Sequence, residues 1–423
     1  MTGIQTNTII EPNSSVSLLN KLGLYFWVYV GIFAVFSINI IPRDILIALA
    51  LIVFFSAPLE ITSYIYIFSL PWMYVAKFSF GLTLSLMQSV LFVGKIIWSR
   101  KKIKARPYEL FYLIFLIACG LMNFINAKSL TGLSFCFYFI ISNYYVHEYF
   151  AEDEKRDMFW RCSLFSVVVS CFFSAVYGFV NHTSVARWIR GMGYASQLYG
   201  AMGTTRFGIY LCIGILFALF YIEKKPIKIT VSVLLSLAVI STISMTAIAI
   251  MVALYALYFL TKGRMSTKKL SIFLLLLVLI GLSYMFWGRI SQISFIRPVA
   301  LRVEQIVQQV KLGDLSAATS GRTSLSEDYL LKFENASLFQ KVFGSFDLSY
   351  EGTSYSHNSY IDMLNYFGVF GVFATILFQI RRWLLFKNHQ EIKIYFLLKF
   401  IIISSAATVS IFSAQYWQIW LYI

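Results

Sequence analysis

The sequence predicts an all-α polytopic membrane protein of about 12 (10–14) transmembrane helices with a long helical loop on one face. Three observations predict it. Of 423 residues, 59% are hydrophobic and only 13% charged, and mean hydropathy is +0.74. A soluble domain carries about a quarter charged residues, so most of this chain has lipid as its solvent. The apolar residues also fall into successive runs of membrane-crossing length. Finally, the basic residues gather in short clusters between the runs, as the positive-inside bias requires. The formal net charge of +16 therefore reports orientation rather than nucleic-acid binding.

The elements follow in order. The first 20 residues are polar and lack both a basic leader and a small-residue cleavage site, so no removable signal peptide is expected. The first run is 23–41, closed by Pro42, Arg43 and Asp44. The stretch 45–98, interrupted by Pro58, Glu60, Pro71 and Lys77, holds two or three spans. Further runs are 109–126, 129–150, 158–180, 206–222, 229–243, 245–261, 270–287, 359–380 and 394–423. Basic clusters at Arg100–Arg106, Lys224–Lys228, Lys262–Lys269 and Arg381–Lys393 place one side in the cytoplasm. The expected organisation is an N-terminal bundle (1–287) with an outer loop at 181–205, a large outer loop (288–357) and C-terminal helices (358–423).

The large outer loop balances seven cations against seven carboxylates. Val299, Val303, Ile306, Val307 and Val310, then Leu325, Tyr329, Leu330 and Phe333, recur at helical spacing. Two amphipathic helices lying on the membrane face are expected there, since a structureless loop of that length would be unusual.

The five cysteines lie in or beside apolar stretches, where thiols act as small hydrophobes. The histidines lack metal-ligand spacing, and His147 and His389 look incidental. There is no phosphate-binding loop and no outer Asp-x-Asp pair, so no metal, nucleotide or other cofactor is expected. Polar residues with chemical potential concentrate on the outer face: Arg187–Gly193 running to Arg206, then Ser320-Gly321-Arg322, then His357-Asn358 followed by Asp362, Asn365, Gly368 and Gly371. Guanidinium groups bind phosphate oxygens bidentately and stay charged when desolvated. This makes Arg190, Arg206 and Arg322 candidates for holding a lipid-linked diphosphate. The Ser320-Gly321 turn adds backbone N–H groups to such a site. His357 suits general-base work on a sugar hydroxyl. Plainer readings stand beside these. Boundary arginines anchor headgroups, a lone histidine is commonly structural, and Ser324 with Glu327 forms a capping box. Asp362 at membrane depth is costly and thus marked for function, or bonds a neighbouring helix.

The order of many spans, an outer loop with Ser320-Gly321-Arg322, and then the segment from His357 to Gly371 opening a span resembles the O-antigen polymerase and ligase superfamily of bacterial inner membranes. The resemblance implies a helical bundle of the type-C glycosyltransferase kind. It also implies metal-independent transfer of a glycan from undecaprenyl diphosphate to an acceptor hydroxyl at the periplasmic face. It assigns the diphosphate to Arg206 and Arg322, with Arg190 as a further candidate, and catalysis to His357 and Arg322. Ser320, Gly321, Asn358 and Asp362 are supporting residues. Implied partners are the undecaprenyl diphosphate-linked oligosaccharide, membrane lipids and a chain-length regulator protein, with no nucleic acid. One departure is Ser244-Met245-Thr246, where many relatives carry Ser-Arg-Thr. A polymerase is favoured over a ligase, which would accept lipid A-core. A flippase or other transporter fits less well, because no internal repeat is visible.

Overall fold

The computed structural model describes residues 22–38, 41–71, 78–79, 82–99, 105–127, 131–181, 204–242, 244–261, 287–293, 297–314, 322–344, 358–386 and 392–406. Every regular element among them is an α-helix. In chain order these are α1 (Gly23–Ile38), α2 (Arg43–Ser56), α3 (Leu59–Ser69), α4 (Leu84–Trp98), α5 (Pro107–Ala127), α6 (Thr131–Glu148), α7 (Asp153–Asn181) and α8 (Thr204–Tyr221). They continue as α9 (Lys225–Ser241), α10 (Met245–Thr261), α11 (Trp287–Ile290), α12 (Arg297–Lys311), α13 (Arg322–Glu334), α14 (Leu338–Phe343), α15 (Ser359–Phe386) and α16 (Ile392–Ala406). The all-helical class expected from the sequence holds.

Among the described residues, two stretches are long and apolar enough, by length and composition, to cross a membrane: Pro107–Ile125 in α5 and Ser359–Leu384 in α15. Helices α1, α4, α8 and α10 carry shorter apolar stretches. At 15–18 residues they extend about 22–27 Å, a little less than a hydrocarbon core of about 30 Å. The ambiguous stretch 45–98 resolves into α2, α3 and α4. Pro58 ends α2 because the residue before a proline avoids helical backbone, and Ala57 is extended (φ −65°, ψ 148°). Lys95 closes the exposed end of α2. Its three N–H donors are shared among four oxygens within reach of Nζ: the carbonyls of Phe54 (3.1 Å), Phe55 (3.0 Å) and Ala57, and Thr62 Oγ1 (2.7 Å). A cation at a helix C-terminus is where the macrodipole favours it.

Two aromatic-rich cores form. The larger joins α1–α4, α6–α10 and α16, and the smaller joins α5, α6 and α15. Helix α6 serves both. Ile141, Tyr144 and Tyr145 face the larger core, and Phe135, Tyr138 and Phe139 the smaller. A helix apolar all round is expected to be enclosed by neighbours. The same holds for α8, buried continuously from Phe207 to Ala218. Outside the cores, large apolar side chains face outward on many helices, among them Leu24 (77% exposed), Phe55 (62%) and Phe172 (63%). All five thiols are free, and four of them are buried.

The large loop does contain helices at both expected apolar repeats, α12 and α13. It also contains α14, which was not foreseen. Its sequence signal is the capping box Ser337-x-x-Gln340: Ser337 Oγ accepts from Gln340 N while Gln340 Oε1 accepts from Ser337 N. The capping box expected at Ser324 and Glu327 is displaced, because α13 already opens at Arg322.

Candidate functional site

Helix α15 positions the described part of the candidate site. Asn358 is its N-cap: the side-chain oxygen accepts from the backbone N–H of Tyr360 (3.0 Å) and Ile361 (3.5 Å). Asp362 follows in the first turn, fully buried, with its N–H bonded to the Asn358 carbonyl (2.9 Å). A carboxylate in a first turn lies at the favourable end of the helix dipole. One turn on, Asn365 donates from Nδ2 to the carbonyl of Tyr329 (3.1 Å) and to that of Ile361 (3.0 Å). Tyr329 is fully buried on α13. The helix that opens at Arg322 is therefore tethered to the helix that opens beside Asn358.

Helix α15 is broken at Gly368, where the backbone turns to φ 65°, ψ −176°. The C-terminal end of α14 packs into this break. A Cβ on Gly368 would collide with the carbonyl of Val342, and a Cβ on Gly344 with that of Tyr366. The α13–α14 segment is thus held to α15 at two points, Asn365 and the glycine contact.

Arg206 lies in the first turn of α8 and is only 8% exposed. A lipid-facing anchor would be more open. Its neighbour Thr205 accepts a hydrogen bond from Ser244 Oγ (3.1 Å), and Ser244 Oγ accepts from Ala247 N (3.3 Å) at the start of α10. The serine of the variant Ser244-Met245-Thr246 sequence thus sits against the turn that carries Arg206. Gly208 permits this approach, since a Cβ there would meet the Ala247 methyl. Helix α16 packs on α8 and α10 and is bonded to α15, where Tyr360 OH donates to the Ile403 carbonyl (2.9 Å). It links α8 and α10 to the head of α15.

Arg190, Ser320, Gly321 and His357 lie outside the described residues. Arg322 is described as the first residue of α13.

Between α15 and α16 runs an apolar groove of about 560 Å³, lined among others by Tyr360, Met363, Ile376, Trp383, Phe396 and Ile403. Tyr360 and Ile403 pin the helices together near its head. Lys399 Nζ, donating to Gln379 Oε1 (3.3 Å), pins them further along.

A second polar cluster, which sequence spacing did not reveal, sits at the opposite end of α5, α6 and α15. Glu109 is fully buried. Its Oε2 accepts from Arg106 N (2.7 Å) and pairs with His147 Nε2 (2.9 Å). His147 is therefore not incidental. Arg382, which sequence reading placed in an orienting loop cluster, lies within α15 and is 2% exposed. It turns inward while Arg381 stays exposed, because successive helical residues point about 100° apart. Its Nη2 donates to the Ser142 carbonyl (3.0 Å) and its guanidinium lies 5.4 Å from the Phe378 ring centroid.

Among the described residues, no cluster of His, Cys, Asp and Glu is arranged to hold a metal. No protein-family model, curated protein or solved structure matches this chain.

Proposed function

We propose that this chain is a polysaccharide polymerase of the O-antigen type in a bacterial inner membrane. It would be a multi-pass bundle of about 12 helices, akin to type-C glycosyltransferases, with its active face in the periplasm. The growing glycan passes from undecaprenyl diphosphate to the non-reducing-end hydroxyl of a lipid-linked repeat unit. The observation that carries this reading is the Asn365–Tyr329 hydrogen bond (3.1 Å). The two segments bearing the family resemblance, one opening at Arg322 and one following His357, are far apart in sequence, and this bond joins their helices. The outward-facing apolar side chains suit a lipid solvent. The groove between α15 and α16 begins at Tyr360, two residues beyond the Asn358 cap, and offers the donor's hydrocarbon chain a path.

In the proposed reaction the acceptor hydroxyl attacks the anomeric carbon and His357 takes its proton. The bond from that carbon to the diphosphate oxygen breaks, and the electron pair leaves with the diphosphate. Arg322 and Arg206, with Arg190 as a further candidate, stabilise the developing charge. Fixed cations in a water-poor site do this without reorganising. Direct displacement inverts the anomeric centre. Removing one such group should cost about 10²–10³ in rate, so Arg322→Ala and His357→Ala proteins should insert normally yet make no long polymer.

The decisive experiment is the lipopolysaccharide ladder of a strain lacking the gene. Core bearing a single repeat supports the polymerase. Bare core with polymer accumulating on the lipid carrier means a ligase instead. An unchanged ladder removes both and favours a transporter.

A further inference from the structure

The polar cluster at the far end of α15 has no part in the proposed transfer, and beside its Arg382 lies a small cavity. The cavity measures about 10 Å³ and is lined by Tyr112, Tyr138, Phe139, Ser142, Phe378, Gln379 and Arg382. Three of these residues carry buried polar atoms with no protein partner within hydrogen-bonding reach: Arg382 Nε, Gln379 Nε2 and Ser142 Oγ. Other atoms of the same side chains are bonded. Arg382 Nη2 reaches the Ser142 carbonyl, and Gln379 Oε1 accepts from Lys399. Two tyrosine hydroxyls complete the lining, Tyr112 bonded to Thr375 Oγ1 (2.8 Å) and Tyr138 to Ser85 Oγ (2.7 Å). Thr375 Oγ1 gives its own proton to the Gly371 carbonyl (2.8 Å), so Tyr112 is the donor in its bond and its oxygen keeps its lone pairs.

A space of roughly 10–15 Å³ with two to four polar partners is what a single buried water needs. We infer that this cavity is a binding site for one ordered water molecule. The water accepts from Arg382 Nε and Gln379 Nε2 and donates to Ser142 Oγ and a tyrosine oxygen. Two acceptor and two donor positions match the four groups. A chloride ion is larger than the space and offers no donor to the tyrosine or serine oxygens. An apolar cavity of this size would stay dry, but buried polar atoms are ordinarily satisfied, by water where protein does not reach. The water joins α6 to α15. Through Gln379 and Lys399 the chain of bonds continues to α16, so three helices are stitched at one level.

X-ray radiolytic labelling of the full-length protein in lipid nanodiscs tests this. Hydroxyl radicals formed from a trapped water oxidise adjacent rings, whereas rings buried without water stay unlabelled. Tyr112, Tyr138, Phe139 and Phe378 should label well above Tyr66 and Phe92, which are also buried. The label should take up oxygen slowly from ¹⁸O-water. Gln379→Leu, which removes a partner without touching a charge, and Arg382→Met should both lose the excess. Labelling no higher than at Tyr66 and Phe92 overturns the inference. So does thermal stability that rises with added chloride while labelling stays at baseline.

Discussion

Gly344 and Gly368 meet backbone to backbone: a Cβ on Gly368 would lie 2.5 Å from the Gly344 nitrogen. Both adopt left-handed conformations, φ 90°, ψ 161° at Gly344 and φ 65°, ψ −176° at Gly368. That region is essentially reserved for glycine. Gly344 terminates α14, and Gly368 interrupts α15 where α14 arrives. Alanine at either position should cost roughly 2–4 kcal/mol from backbone strain plus overpacking. The double substitution should cost less than the sum, because both residues share one contact. Thermal unfolding of the purified variants measures this. Additive losses would show that the contact does not couple the two positions.

Asn365 ties α13 to α15 through the Tyr329 carbonyl. Asn365→Asp keeps the shape but loses the donor, and Asn365→Ala loses both bonds. Each should cost about 1–3 kcal/mol and raise protease susceptibility of the segment containing α13. If the segment is tethered for function, polymer length should fall in parallel. Wild-type proteolysis and a wild-type ladder in both variants would show the bond to be dispensable.

The groove between α15 and α16 gives a specific test of the lipid donor. Ile376 and Ile403 line it and are more than half or about half exposed, so tryptophan at either position fills the groove without crowding a core. Transfer from a long polyprenyl donor should weaken, seen as a raised KM. A short prenyl analogue should be affected little. Equal effects on both donors would place the hydrocarbon elsewhere.

His147 pairs with one oxygen, Oε2, of the fully buried Glu109 carboxylate (2.9 Å). His147→Ala should destabilise by about 1–3 kcal/mol, since the partner left behind bears the penalty. Adding Glu109→Gln should recover part of that loss by removing the buried charge. Denaturation midpoints of the two single variants and the double variant decide it, and no recovery would mean that Glu109 does not depend on His147.

Much of the helical layout was legible because apolar periodicity is a local signal. The repeats at Val299–Val310 and Leu325–Phe333 lie within α12 and α13. Three features were not read from the pattern. The break in α15 hides inside an apolar run, since nothing local separates Gly368 from a glycine tolerated in a helix. The Glu109–His147 pair depends on the antiparallel contact of α5 and α6, which brings together residues 38 positions apart. The inward turn of Arg382 depends on which face of α15 meets α6. Within the candidate site, the sequence singled out Asn358, Asp362 and Arg206 as polar groups near span ends. It did not reveal that Asn358 serves as a cap, or that Ser244 lies against Thr205.

The break at Gly368 also divides α15 into two lengths whose rotational phase is set independently. In an unbroken helix, one inserted residue turns everything beyond it by about 100°. Here the head of α15 takes its orientation from Asn365 and the tail from Arg382, with a joint between them that need not transmit twist. An insertion beyond the joint should therefore turn only the tail, leaving the head's bond to Tyr329 in place. Residues on the two sides of Gly368 are then free to diverge separately, each constrained by its own contacts rather than by a shared helical pitch.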